Sequence, residues 1–155
     1  MKPTEYLASV QQLFIEVEHW ASRNDLMTRH GSTELNEEAY GVYQINTLKV
    51  CTKADKQLAE FVPIGASIIA AKGRVDLVGI IDSVILVKWD KGGPSITTIV
   101  DEGGIQHNAT KPIYRNVGDA GWYWVESRKL SRAHRFDERL FYELLRSVSD
   151  YECHS

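Results

Sequence analysis

The sequence is poor in cysteine, and its two cysteines have no spacing typical of a disulfide framework or a metal site. Cys51 and Cys153 stand 102 positions apart with no further cysteine near either of them. Small secreted domains depend on dense disulfides, so this class of protein is disfavoured. The first residues also lack the apolar core of a secretory signal peptide. We therefore expect two free thiols in a reducing compartment and a cytoplasmic localisation.

Long apolar runs and an excess of charge of one sign are also missing. The longest apolar stretch, residues 64–71, has the length of a strand and falls well short of the ~20 residues of a transmembrane helix. Eighteen basic and 21 acidic residues give a net charge of -3. Such a balance creates no global field that attracts nucleic acid or an anionic membrane surface. We therefore expect neither as a partner.

What remains is the composition of a globular domain. Hydrophobic residues make up 43 % of the chain and charged residues 25 %, which is close to the average for soluble proteins. A chain of 155 residues falls within the usual size of one domain. The sequence thus predicts a single α+β domain over residues 1–155.

Helical periodicity is present at both ends of the chain. Near the N-terminus, apolar residues recur at spacings of three and four and predict an amphipathic helix; they are Tyr6, Val10, Leu13, Val17 and Trp20. Near the C-terminus, Asp137 is placed as the N-cap of a second helix, between Phe136 and Phe141 as a hydrophobic staple.

The segments between the helices are rich in β-branched and aromatic residues, which favours strands. These segments are residues 40–50, 61–71, 74–78, 84–89, 95–100 and 122–125. Links this short leave no room for crossover helices, so we expect a mainly antiparallel β-sheet of five to six strands, packed with an N-terminal and a C-terminal α-helix. Glycine and proline at residues 90–94 predict a hairpin turn. Residues 22–38 and 101–121 are interpreted as loops.

One pair of predicted strands carries a suggestive polar pattern. Residues 73–79, with Asp76, and residues 84–89, with Lys88, resemble part of the PD-(D/E)XK nuclease core. The resemblance implies that Asp76 helps to hold a divalent metal ion, that Lys88 orients the attacking water, and that the two lie side by side facing the first helix. Glu16 or Glu18 could supply the helix acid of that family.

The same strands differ from the family pattern at one position. Where the family has a second acid, two residues before Lys88, this chain has Leu86. Two alternatives therefore stay open. The chain is an inactive or degenerate relative of these nucleases, or the segment is an amphipathic hairpin in which Arg74 or Asp76 makes cross-strand pairs.

Two further segments are candidates for binding. Trp122 and Trp124 should share one face of a strand, with Tyr123 on the other; exposed aromatics anchor interfaces, and buried ones cover a core. A local basic patch follows at Arg128, Arg132 and Arg135. It could meet an acidic protein surface or a phosphate backbone, or it could pair with acidic residues that flank it.

The sequence contains few motifs that indicate catalysis or cofactor binding. The chain contains no CxxC, GxSxG, P-loop or GxGxxG motif, so we expect no cofactor and no metal site. The interpretation that follows is a non-enzymatic protein-binding module of the immunity, antitoxin or adaptor type. A homodimeric structural module, paired through an exposed apolar sheet face, is the remaining alternative.

Overall fold

The computed structural model describes residues 2–66 and 72–152. It contains helices at the two ends of the chain and strands between them. In chain order, the elements are α1 (Pro3–Ser22), β1 (Leu26–Glu37), β2 (Gly41–Thr52), β3 (Gln57–Gly65), β4 (Arg74–Gly79), β5 (Ser83–Trp89), β6 (Ser95–Glu102), β7 (Ile105–Pro112), β8 (Gly121–Ser127), β9 (Arg132–Arg135) and α2 (Glu138–Val148).

Seven strands form one antiparallel sheet, in the order β1-β2-β3-β4-β5-β8-β9. Within the described part of the chain, strands β6 and β7 pair only with each other and form a separate two-stranded ribbon. The predicted α+β class is confirmed, with a few more strands than expected. Residues 67–71, the second half of one predicted strand, lie outside the described residues.

Both helices pack on the same face of the seven-stranded sheet. The apolar stripe of α1 is buried as predicted, and its side chains meet those of α2 and of the central strands in one core. The largest fully buried members of this core include Tyr6, Leu13, Leu48, Phe61, Leu77, Leu86, Phe141 and Leu145. We call the sheet with its two helices the body of the protein.

The start of α2 follows the sequence prediction. Asp137 is its N-cap, and the carboxylate accepts a hydrogen bond from the backbone N–H of Leu140 at 2.8 Å. The rings of Phe136 and Phe141 lie 6.4 Å apart, on either side of this cap. The cap and the staple together fix where the chain enters the helix.

Two loop predictions are wrong. Most of residues 22–38 belongs to β1, which is twelve residues long and pairs with β2 from Leu26↔Thr52 to Glu37↔Gly41. Because β1 is an edge strand with few buried side chains, its sequence is polar enough to resemble a loop. Residues 105–112, placed in the second loop, form β7.

The hairpin prediction at residues 90–94 is also wrong. The chain does turn there, with Gly92 and Gly93 at positive φ and the Gly93 N–H bonded to the Asp90 carbonyl at 2.9 Å. The strand that pairs with β5 is however β8, with Lys88 opposite Trp122. The turn therefore leads out of the sheet into β6.

A second, smaller cluster of apolar side chains lies on the opposite face of the sheet. It joins Val87, Trp89, Tyr123 and Ala133. The segment that returns from β7 covers it with Tyr114 and Val117, and the Trp89 and Tyr114 rings are 4.8 Å apart. The core on the helix side is thus the main one, and the described residues cover the opposite face only near β5, β8 and β9.

No helix in residues 2–66 and 72–152 combines the length and the apolar character that crossing a membrane requires.

Candidate functional site

Asp76 lies on the face of the sheet that the helices do not cover. Its neighbours along β4, Val75 and Leu77, point into the main core, and side chains alternate along a strand. The Asp76 carboxylate accepts two hydrogen bonds from the Arg74 guanidinium, at 2.8 and 3.0 Å. This pairing raises the pKa of Arg74. The carboxylate is therefore engaged by a cation of its own strand, whereas the amphipathic-hairpin alternative expected Arg74 or Asp76 to pair across strands.

Lys88 lies on the other face, beneath α1. It is two residues from Leu86, whose side chain is in the main core, and it lines a cavity of about 360 Å³ with Gln12 and Glu16 of α1. Burial lowers the pKa of the Lys88 ammonium, and the nearby positive charge of Arg135 lowers it further. The Glu16 carboxylate acts in the opposite direction and favours the charged ammonium.

The expectation that Asp76 and Lys88 lie side by side is therefore wrong. In the register of β4 with β5, Asp76 is opposite Ile85, which packs with the cluster on the uncovered face. Lys88 and Glu16 share a cavity, but the aspartate that would complete a metal site points away from it. Within the described ranges, no three side chains of histidine, cysteine, aspartate or glutamate come together to hold a metal ion.

The aromatic segment of β8 divides between the two faces as its alternation predicts. Trp122 is 7 % exposed, and its indole N–H donates to the carbonyl of Ser9 in α1 at 3.3 Å. Trp124 packs at the edge of the main core and stacks on His134 at 5.5 Å. Tyr123 faces the smaller cluster. Trp122 is thus buried in packing, whereas Trp124 is half-buried at the edge of the core.

The basic patch forms the β8–β9 hairpin at one edge of the sheet. Arg128 lies in the exposed turn. Arg132 lies 3.9 Å from the Glu126 carboxylate, which is also 3.5 Å from His134. Arg135 lies over the ring of Tyr123, 5.8 Å from its centre. Partners in the same hairpin thus engage Arg132 and Arg135, and Arg128 remains at the surface.

The most unusual surface was not singled out by the sequence. The β6–β7 hairpin, residues 95–112, is called the arm below. Fourteen of its sixteen strand residues are exposed, with Val100 and Ala109 intermediate. Three isoleucines stand in solvent: Ile96 is 56 % exposed, and Ile99 and Ile105 are each 71 % exposed. Among residues 2–66 and 72–152, each arm strand makes extensive contacts only with the other arm strand.

The arm is regular despite its isolation. It is paired without a break from Ser95↔Pro112 to Glu102↔Ile105. The turn consists of Gly103 and Gly104, both at positive φ, as the favoured two-residue hairpin turn requires. Cross-strand partners lie on the same face of a ribbon, so the arm has two distinct faces.

We name these faces by their composition. The apolar face carries Ile96, Thr98, Val100, Glu102, Ile105, His107, Ala109 and Lys111. The polar face carries Ser95, Thr97, Ile99, Asp101, Gln106, Asn108, Thr110 and Pro112. In the sequence, the feature that could have indicated this surface is the predicted strand at residues 95–100, which is followed by a predicted loop and not by a second strand.

Comparison with protein-family models, curated protein sequences and solved structures found no match to this chain.

Proposed function

We propose that this protein is a non-enzymatic protein-binding module, and that the arm is the element with which it docks. The observation that carries the proposal is the exposure of Ile96, Ile99 and Ile105 on a ribbon that projects from the body. Exposed apolar surface of this kind marks sites of protein interaction. The polar residues that resembled a nuclease core do not converge, so the arrangement supports binding rather than catalysis.

The energetics of the arm favour the same conclusion. A two-stranded hairpin is marginally stable in water unless it packs against something else. Burying an isoleucine side chain contributes roughly 1.5–3 kcal/mol, and a partner would supply that burial. Among the described residues, no further strand pairs with the outer edges of β6 and β7, and an extended segment can add to such an edge as a further strand.

The compartment that we propose for this binding is the cytoplasm. Cys51, the cysteine within the described residues, is free and buried. Burial raises the pKa of its thiol, and the Asp55 carboxylate adds to this effect. A protected thiol suits a reducing compartment.

A photo-crosslinking experiment in cells tests the proposal. A photoreactive amino acid replaces Ile105 in the arm, and in a matched control it replaces Arg139 on the exposed side of α2. We expect crosslinks to a defined protein from position 105 and none from position 139. A second full-length variant, Ile96→Ser with the label at 105, should lose them, because it removes one of the three exposed isoleucines of the arm.

Either of two results would overturn the proposal. Crosslinks that arise equally from positions 105 and 139, or that persist in the Ile96→Ser variant, would show that the arm has no specific role in docking. Circular dichroism of each variant verifies that the body has folded.

A further inference from the structure

We propose that the cavity between α1 and the strands β5, β8 and β9 binds the carboxylate of a small organic acid, with the Lys88 ammonium as the main donor. The site is separate from the arm, so this inference goes beyond the proposed function and does not depend on it. It gives a role to a side chain that the sequence singled out and that the fold separates from Asp76.

The cavity has the size of a site for a small molecule. Its volume is about 360 Å³, near the lower end of the range of ligand pockets, which is roughly 300–1,000 Å³. The charged residues that line it are Glu16 of α1, Lys88 of β5 and Arg135 of β9. Its apolar lining includes three residues of the main core, Leu13, Trp122 and Phe136. A few polar groups among apolar ones are the usual composition of a small-molecule site.

The Lys88 ammonium is not engaged by the fold itself. The side chain is half-buried, and within residues 2–66 and 72–152 its ammonium takes part in no hydrogen bond or ion pair. The Asp90 carboxylate favours the charged form of Lys88 but is paired with Lys72 at 3.2 Å. Burial lowers the pKa of Lys88, because the ammonium has lost part of its hydration. A bound anion restores a favourable interaction to this charge.

Arg135 adds a second positive charge to the same cavity. It is opposite Tyr123 in the register of β8 with β9, and its guanidinium lies over Gly121 at the start of β8. A Cβ on Gly121 would be only 2.8 Å from the Arg135 Cζ, so glycine leaves the room that the guanidinium occupies. The positive charge of Arg135 lowers the pKa of Lys88. Arg135 therefore adds to the attraction for an anion bound at Lys88, without having to contact it.

The charges around the cavity match an anion that carries one negative charge. Lys88 and Arg135 contribute two positive charges and Glu16 contributes one negative charge, so one further negative charge makes the site neutral. A carboxylate carries this single charge at neutral pH, whereas a phosphate monoester carries about −1.5 to −2. The Glu16 carboxylate opposes the additional charge of the phosphate. The charge balance thus favours a carboxylate.

The apolar lining favours an acid with an apolar body. The indole N–H of Trp122 already donates to the Ser9 carbonyl at 3.3 Å, so Trp122 offers a ligand its ring and not its donor. Burying an apolar group against such a lining stabilises the complex. Benzoate combines one carboxylate with one ring and is therefore a suitable probe.

Titration of the isotope-labelled full chain with benzoate, followed by NMR, tests the inference. The Trp122 indole signal should shift in a saturable manner with a Kd below about 10 mM, while that of Trp89, on the opposite face, stays in place. Lys88→Gln should weaken binding about tenfold or more, as expected for the loss of a charge-assisted hydrogen bond. Lys49→Gln is the matched control and should have no effect, because Lys49 is also a half-buried lysine in a strand but lies outside the cavity.

Two further substitutions test the charges. Arg135→Gln should weaken benzoate binding about two- to fivefold, whereas Arg128→Gln, in the exposed turn of the same hairpin, should leave it unchanged. Glu16→Gln should tighten benzoate binding by a similar factor, because it removes a like charge; a purely structural role of Glu16 predicts no gain. Arg135 and Glu16 are both exposed, so these variants keep the test informative if Lys88→Gln disturbs folding.

Two other ligands test the chemistry of the anion. Inorganic phosphate should bind more weakly than benzoate, and Glu16→Gln should narrow the difference. Acetate resembles the carboxylate of an acidic side chain and has almost no apolar body, so it should bind at least about threefold more weakly than benzoate. Equal binding of acetate and benzoate would overturn the organic acid as the ligand, and tighter binding of phosphate would overturn the carboxylate.

Three outcomes would overturn the site itself: no saturable shift of the Trp122 signal, equal effects of Lys88→Gln and Lys49→Gln, or weaker binding by Glu16→Gln. Circular dichroism of each variant verifies that the body has folded. The proposed function fails separately, because crosslinking from the arm does not involve this cavity.

Discussion

The body and the arm are built from similar strands but stand in opposite relations to water. Strand β4 alternates, with Val75 and Leu77 fully buried, because helices cover one face of the sheet. Strand β6 is richer in β-branched residues than β4, yet seven of its eight residues are exposed. Strand propensity therefore predicts where the chain is extended. Whether a strand stabilises the fold or remains available to a partner depends on whether another layer of the protein covers it.

The largest expected effect comes from truncating a core aromatic. Phe141 is fully buried and lies within about 6.5 Å, ring to ring, of Trp20, Phe61 and Phe136. Phe141→Ala should lower the free energy of unfolding by about 3–5 kcal/mol. Ile99→Ala in the arm should change it by less than about 0.5 kcal/mol. Urea titration at low protein concentration measures both, and comparable losses would break the distinction between body and arm.

A smaller effect is expected where α2 meets the sheet. A Cβ added to Gly79 would lie 2.0 Å from the carbonyl oxygen of Val148, which accepts hydrogen bonds from Ile81 and Asp82. Gly79→Ala should cost about 1–3 kcal/mol, because backbone has to shift.

The matched control for Gly79 is Gly118, in the segment that returns from the arm. A Cβ there meets nothing within 4 Å, so Gly118→Ala should stay within about 0.5 kcal/mol of the wild type. Thermal unfolding of the two variants side by side checks this contrast. Equal losses would mean that the return segment is as tightly packed as the body.

The smallest effect concerns one buried hydroxyl. The Tyr6 hydroxyl donates to the Arg74 carbonyl at 2.5 Å and accepts from the Gly65 N–H at 3.2 Å. Tyr6→Phe removes both bonds and should cost about 1–2 kcal/mol near neutral pH.

Tyr6 also gives the body a dependence on alkaline pH. Burial raises the pKa of Tyr6 in the folded state above the value of about 10 in the unfolded chain. The unfolded state then loses its proton first, so this contribution is complete below pH 10 and declines as the pH rises further. Denaturant titrations from pH 8 to about 11 should show a shallower decline for Tyr6→Phe than for the wild type. An identical decline would contradict this role.

The opposite orientations of the Asp76 and Lys88 side chains could have been predicted from the sequence. Val75 and Leu77 flank Asp76, and Leu86 lies two residues before Lys88. If these apolar residues face one core, Asp76 must point away from it and Lys88 must point toward it. The resemblance to a nuclease core led us to place Asp76 and Lys88 side by side. The alternation of apolar and polar residues along the same strands instead puts their side chains on opposite faces of the sheet.

The sequence by itself determined the two helices, the capped start of α2 at Asp137 and most of the strands, because those features depend on periodicity and on contacts between near neighbours. The tertiary structure alone decided that β5 pairs with β8, and hence that residues 95–112 are excluded from the sheet. Strand pairing is a competition between segments distant in sequence, and here the pairing of β5 with β8 accompanies the burial of Trp122 in the main core and of Tyr123 in the smaller cluster. Because β5 pairs with β8, residues 95–112 form the arm, which is the surface from which we infer binding.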